Sequence, residues 1–127
     1  MLVPERIKVN KARNTISLNY INDEAYDLSA EYLRVFSPSA EVRGHSSDQQ
    51  VLQIGKSDVL ITDLSKSGNY ALRIHFDDGH DSGIYTWDYL YDLAINRRQN
   101  WAKYIDKLER EGQSRDPGVQ IVKICGP

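Results

Sequence analysis

"FDDGHDSGIYTW", residues 76–87, gathers three aspartates, one histidine and two glycines between apolar ends. Its reading decides the fold. Just upstream, "YALRIHF" (70–76) alternates, with Leu72, Ile74 and Phe76 on one face and Arg73 and His75 on the other. That is the period of a half-buried strand. Asp78-Gly79 is a strong two-residue hairpin signal, because glycine accepts the positive φ that such a turn needs. "DSGIY" is then the returning strand. Thr86 can cap a following helix, and Asp88 in its first turn suits the positive end of the helix dipole.

Outward from this unit the same rules apply. "ERIKVN" and "TISLNY" alternate, "AYDL" follows, and "KARN" and "INDE" turn between them, which reads as an antiparallel three-strand meander. The period then changes: Ser29 can cap a short helix near 30–36, with Glu31 in its first turn, and Pro38 cannot continue it. "RGHSSDQQ" is a polar loop. "VLQI" and "DVLITDL" make a second strand-rich region, closed by the turn "SKSGN". After Thr86, a stripe of Trp87, Leu90, Ala94, Trp101, Tyr104, Ile105 and Leu108 predicts a helical segment over 87–112. Asn96 marks a break in it and Gly112 a C-cap. The fold class is therefore α+β, antiparallel strands with one short helix and a helical C-terminal segment. Residues 1–112 read as a single domain and 113–127 as a tail, in which "VQIVKI" offers an edge strand.

Composition narrows the function classes. The chain has 127 residues, 40% apolar, 27% charged, with a net charge of -2. That suits one domain, and no basic excess points to nucleic acid. The single cysteine, Cys125, allows neither an internal disulfide nor a cysteine zinc site. "MLVPERIKVN" has no long apolar run, so no signal peptide and no membrane span are expected, and a cytoplasmic location is the default. Charge is uneven. Residues 77–92 hold five Asp and no Lys or Arg, while 97–115 hold six Lys or Arg against three acids. Such a bias is either a solvated face or a complementary patch for a partner or a second copy of the chain.

Several chemical readings compete at the polar loop. His75-Phe76-Asp77 spells H-x-D, the start of an iron-binding facial triad, but the only later histidine is His80, too near to close such a site. Asp77, Asp78 and Asp81 could face a hard cation, yet the EF-hand spacing is missing and aspartate is at home in turns. No nucleophile elbow, phosphate loop or dinucleotide fingerprint is present; "GKSD" (55–58) lacks the earlier glycine of a phosphate loop. Gly79 serves the turn and Gly83 a bulge or close backbone approach. Trp87 and Trp101 read as core.

Two stretches, "YLRVFSPSAEVRGH" (32–45) and "GNYALRIHFDDGHDSGIYTWDYLYDL" (68–93), resemble the N-terminal domain of the gamma-butyrobetaine hydroxylases. The resemblance spans roughly Glu5 to Gly112. The family also includes free-standing bacterial proteins and fusions to iron–sulfur carrier ATPases. In the hydroxylases it implies a small zinc module. Its ligands there are three cysteines, in a C-x-C-x-x-C run after an "LR" dipeptide, and one histidine near the later hairpin. Counted from Leu33-Arg34, the cysteine positions fall on Ser37, Ser39 and Val42, and the histidine on His80. The thiolates that make such a site tight are absent. The catalytic barrel of the hydroxylases has no counterpart here either.

Three functional readings follow. The first is a non-catalytic accessory domain that binds another protein, in iron–sulfur or dioxygenase pathways by the family's fusions. Its surface would run through Arg34, Glu41, Arg43 and Tyr85, although for at least one of the charged members an ion pair across the fold is the expected role. The second is a zinc or iron module built from His80 with His75, His45 or nearby aspartates. The third is a small enzyme with His80 and Asp81 or Asp78 as an acid–base pair. The first implies no cofactor, no nucleic acid and no membrane. A homodimer is open if the far end of the helical stripe overhangs the domain.

Overall fold

The computed structural model describes residues 2–44, 50–119 and 121–122. The expected meander is there: β1 (Arg6–Val9), β2 (Thr15–Asn19) and β3 (Ala25–Ser29) form an antiparallel sheet in the order β1-β2-β3. Ile16 and Leu18 point into the core from β2 and Leu28 from β3. Its two turns are tight enough to force positive φ on Arg13 and Asp23, a conformation that costs a non-glycine residue free energy unless it is tied down. Arg13 is tied: its Nε and Nη2 donate to the carbonyls of Ile61 (2.5 Å) and Thr62 (2.9 Å), and its own carbonyl accepts from Ile61 N (2.8 Å). This clasp joins the first sheet to the second.

The second sheet is β4 (Ile61–Ser67), β5 (Ala71–Phe76) and β6 (Ile84–Thr86), again antiparallel in chain order. The β5–β6 connection departs from the expected two-residue turn. Phe76 N donates to His80 O at 3.0 Å and Gly79 N to Phe76 O at 3.2 Å, with Gly79 at φ +87°. That is a three-residue loop closed by a glycine bulge. The returning strand is correspondingly shorter than "DSGIY": it pairs only from Ile84 opposite Arg73 to Thr86 opposite Ala71. "VLQI" (51–54) pairs with no strand; Val51 N donates to Val42 O instead.

α1 (Ala30–Val35) starts at Ser29, whose hydroxyl accepts from Tyr32 N. A second short helix that the sequence did not announce, α2 (Ala40–Arg43), follows Pro38 and is capped by Ser39. The C-terminal helical segment is two helices, α3 (Trp87–Ile95), capped by Thr86, and α4 (Arg97–Glu111), ended by Gly112 at φ 63°. The break falls at Asn96, whose side-chain amide bonds back to the Asp92 carbonyl and carboxylate. None of the described helices is long and apolar enough to cross a membrane.

One core cluster takes side chains from both sheets, α1 and α3. A smaller one holds Val35, Tyr104 and Leu108, with Leu52 and Trp101 against it. The far end of the helical stripe is thus covered by α1 and the 50–53 segment of the same chain. The ordered domain also runs past Gly112. Arg115 makes a two-pronged ion pair with the buried Glu31, 2.7 Å on each arm, and lies over the Trp101 ring. Gly55 and Ser57 donate to the carbonyls of Ser114 and Arg115. Part of the expected tail is therefore a strap on the domain, held because a buried carboxylate needs a counter-charge. The proposed strand "VQIVKI" falls partly outside the described residues, and Val119, Ile121 and Val122 have no ladder.

Candidate functional site

The loop between α1 and α2 meets the β5–β6 loop at one corner of the domain, and there the sequence-predicted residues converge. The α1 helix ends at Val35, and Ser37 follows it into the interior, 1% exposed. Its Oγ lies 2.8 Å from His80 Nε2 and accepts from Ser39 N at 3.3 Å. Ser39, besides capping α2, shares a hydroxyl–hydroxyl bond of 2.8 Å with Ser82. Val42, on α2, is buried. Gly83 packs so close that a Cβ there would stand 2.5 Å from Ser37 Oγ, the close approach expected of it.

His80 is 6% exposed. Its Nδ1 is 3.4 Å from Glu41 Oε2, and its backbone N donates to Asp78 Oδ1 at 3.1 Å. A proton on Nδ1, facing the carboxylate, leaves Nε2 to accept from the Ser37 hydroxyl. Burial depresses the His80 pKa, the nearby Arg34 charge depresses it further, and Glu41 and Asp78 only partly offset them. The ring is therefore neutral near pH 7.

Asp78 anchors the other side. Burial alone would raise its pKa, but hydrogen bonds from Lys56 Nζ (2.7 Å) and Arg34 Nε (2.8 Å) outweigh it and hold the carboxyl at about 2. Arg34 also reaches Gln53 Oε1 at 2.9 Å. Thus Arg34 forms an ion pair across the fold and is largely buried. Tyr85 is likewise no surface residue: it is 0% exposed and its hydroxyl donates to the Leu33 carbonyl. Of the four residues expected on an interaction surface, only Glu41 and Arg43 are exposed. Arg43 sits over the Tyr89 ring, 5.4 Å from its centroid.

The donor set does not suit Zn²⁺. It consists of one imidazole, two hydroxyls already committed to hydrogen bonds, and an isopropyl group. Neutral hydroxyls are poor zinc ligands beside thiolates, imidazoles and carboxylates. Among the described residues no group of three or more His, Cys, Asp or Glu gathers as a metal cluster. His75 stays apart, opposite Asp63 across the β4–β5 ladder and 3.4 Å from Ser65 Oγ; His45 lies outside the described residues. Asp81 faces Arg73 instead of His80. Ser37, His80 and Glu41 do stand in the order of a nucleophile, base and orienter. Yet a hydroxyl buried this deeply faces protein, not solvent.

Residues 7–91 match the family described as gamma-butyrobetaine hydroxylase-like, N-terminal. The chain belongs to this family. Two solution NMR structures are similar to this gamma-butyrobetaine hydroxylase-like domain over nearly its full length. One is 51% identical, covers 98% of both chains and has a TM-score of 0.82. The other is 38% identical, covers 99% of this chain and 95% of that one, and has a TM-score of 0.78. A crystal structure from Acidithiobacillus ferrooxidans, described as a protein of unknown function in the DUF971 family, is 31% identical and has a TM-score of 0.59. It covers 72% of this chain and 91% of its own. No curated protein matches.

Sequence reasoning missed three participants in this gamma-butyrobetaine hydroxylase-like corner. Lys56 and Gln53 complete the Asp78–Arg34 network from a segment without periodic signal. Ser82, read only as part of the returning strand, supplies the bond to Ser39. The one usable hint was Gly83 beside it, a position demanding that something pack closely.

Proposed function

We propose that this chain is a non-catalytic accessory domain whose work is to bind another protein. One observation carries the reading. At the corner where the family resemblance puts a zinc ion, the polar side chains are bonded to one another. Ser37 holds His80, Ser39 holds Ser82, and Arg34 and Lys56 hold Asp78. Groups so committed have little capacity left for a substrate or an ion. What remains to the domain is a rigid shape and a charged exterior, the properties by which folded modules recognise partners. By the fusions of its relatives, the partner would belong to iron–sulfur or dioxygenase chemistry. The test is affinity purification of the tagged chain from its native host under several growth conditions, read by mass spectrometry. A recurrent, near-stoichiometric protein is expected. Its absence under every condition refutes the proposal.

A further inference from the structure

Away from that corner, the β3 edge meets the α3–α4 break. Two clefts open there, of about 400 and 330 Å³, and Arg97 and Arg98 wall both. Among the described residues neither arginine has a carboxylate partner. Arg97 donates only to the Asp27 carbonyl at 3.2 Å, and the first turn of α4 has no acidic residue. Two exposed, unpaired guanidinium groups at one place are a standing demand for anions.

The sheet adds a second feature. β3 is an outer strand. Ala30 N bonds to Asn14 O, and Tyr20 N to Glu24 O. That phase turns the even-numbered residues toward β2 and leaves the amides and carbonyls of Ala25 and Asp27 facing outward. Beside them, Ile95 is 52% exposed, next to Ala94 at the cleft wall. A free edge, an apolar patch and a pair of cations lie along one line.

We propose that this line is a docking groove for an extended acidic segment of a partner protein, added as a strand to β3. Backbone bonds to both peptide groups of Ala25 and to the Asp27 amide hold its register, while the Asp27 carbonyl keeps Arg97 in place. Its carboxylates meet Arg97 and Arg98, and an apolar side chain rests against Ile95. A nucleic acid fits less well, because it carries no peptide groups to pair with the outward amides and carbonyls of the β3 edge. A second copy of the chain is disfavoured too. Its own acidic stretch, around Asp77 and Asp81, lies on a different element, and such head-to-tail pairing would not close into a dimer. This inference rests on the protein-binding reading above and names the surface that serves it.

A random dodecapeptide phage library selected on the full chain tests it. Enriched peptides should carry Asp or Glu beside apolar residues and shift the amide signals of Ala25–Ser29 in NMR spectra. Arg97→Glu/Arg98→Glu should weaken them by at least about tenfold, while Lys66→Glu, on exposed β4, leaves them unchanged. Arg98→Glu alone, which spares the Arg97–Asp27 bond, guards against misfolding and should weaken them by at least about threefold. Peptides without acidic enrichment, or peptides bound equally by the charge-reversed variants, overturn the groove. So do tight binding of a single-stranded oligonucleotide here and self-association abolished by the same variants. A native partner still captured by the double variant removes this surface but leaves the protein-binding reading standing.

Discussion

Gly83 and His80 show how much one position can fix. Gly83 has no Cβ, and Ser37 Oγ fills the space where one would sit. Gly83→Ala should therefore break the Ser37–His80 bond and destabilise the domain by about 1–3 kcal/mol, measured by urea unfolding. In a Ser37→Ala background the same change should cost less, and additive effects would disprove the clash. His80 gives a titration prediction. Its folded pKa is depressed below the ordinary 6.5 by burial first and by Arg34 second. The unfolded chain therefore binds the proton more readily. The stability from neutral His80 is complete above about pH 6.5 and declines as pH falls through the lower folded value. Asp78 adds a second, more acidic decline, between the ordinary carboxylate value of 3.8 and about 2. NMR titration of the His80 ring should show the low pKa and a proton on Nδ1. At this scale the sequence was partly misleading. Tyr85 was expected on the surface and is buried, whereas Arg34 takes the ion-pair role that the sequence left open to it. Their partners, the Leu33 carbonyl and Asp78, stand 52 and 44 residues away.

Elements were easier to read than contacts. Alternation found the six strands' neighbourhoods, and the caps at Ser29 and Thr86 form as their side chains dictate. Asn96 and Gly112 end their helices for reasons local to each, a side-chain bond back to Asp92 and a left-handed φ. α2 was illegible because four residues hold too little periodicity to register. The strap after Gly112 was illegible for the opposite reason. Its hold comes from a partner 84 residues away, and no local pattern encodes that. Arg115→Met should leave Glu31 buried without its counter-charge. The expected cost is about 1–3 kcal/mol, since Arg115 is itself partly exposed. Glu31→Gln/Arg115→Met should recover part of it. Equal stability of Arg115→Met and the parent would show that the strap is ornamental.

For the molecule as a whole, the resemblance carried the topology, and the positions it implied do meet in space: Ser37 against His80, Ser39 beside Ser82, Val42 inside. What side-chain chemistry they would use could not be read from a single residue type. Adding Zn²⁺ to the parent should leave its thermal midpoint unchanged, and EDTA likewise. Ser37→Cys/Ser39→Cys/Val42→Cys should instead gain a zinc-dependent rise. If it binds, metal at a hundredfold excess over its dissociation constant adds about 2.7 kcal/mol. A parent that gains stability from zinc would contradict the hydroxyl-bonded corner described above. That corner also bears on how the protein matures. Hydroxyls and an imidazole arrive with the polypeptide itself, so the newly made chain can complete this part of its structure during translation. The hydrogen bonds that close the corner draw on no delivered ion.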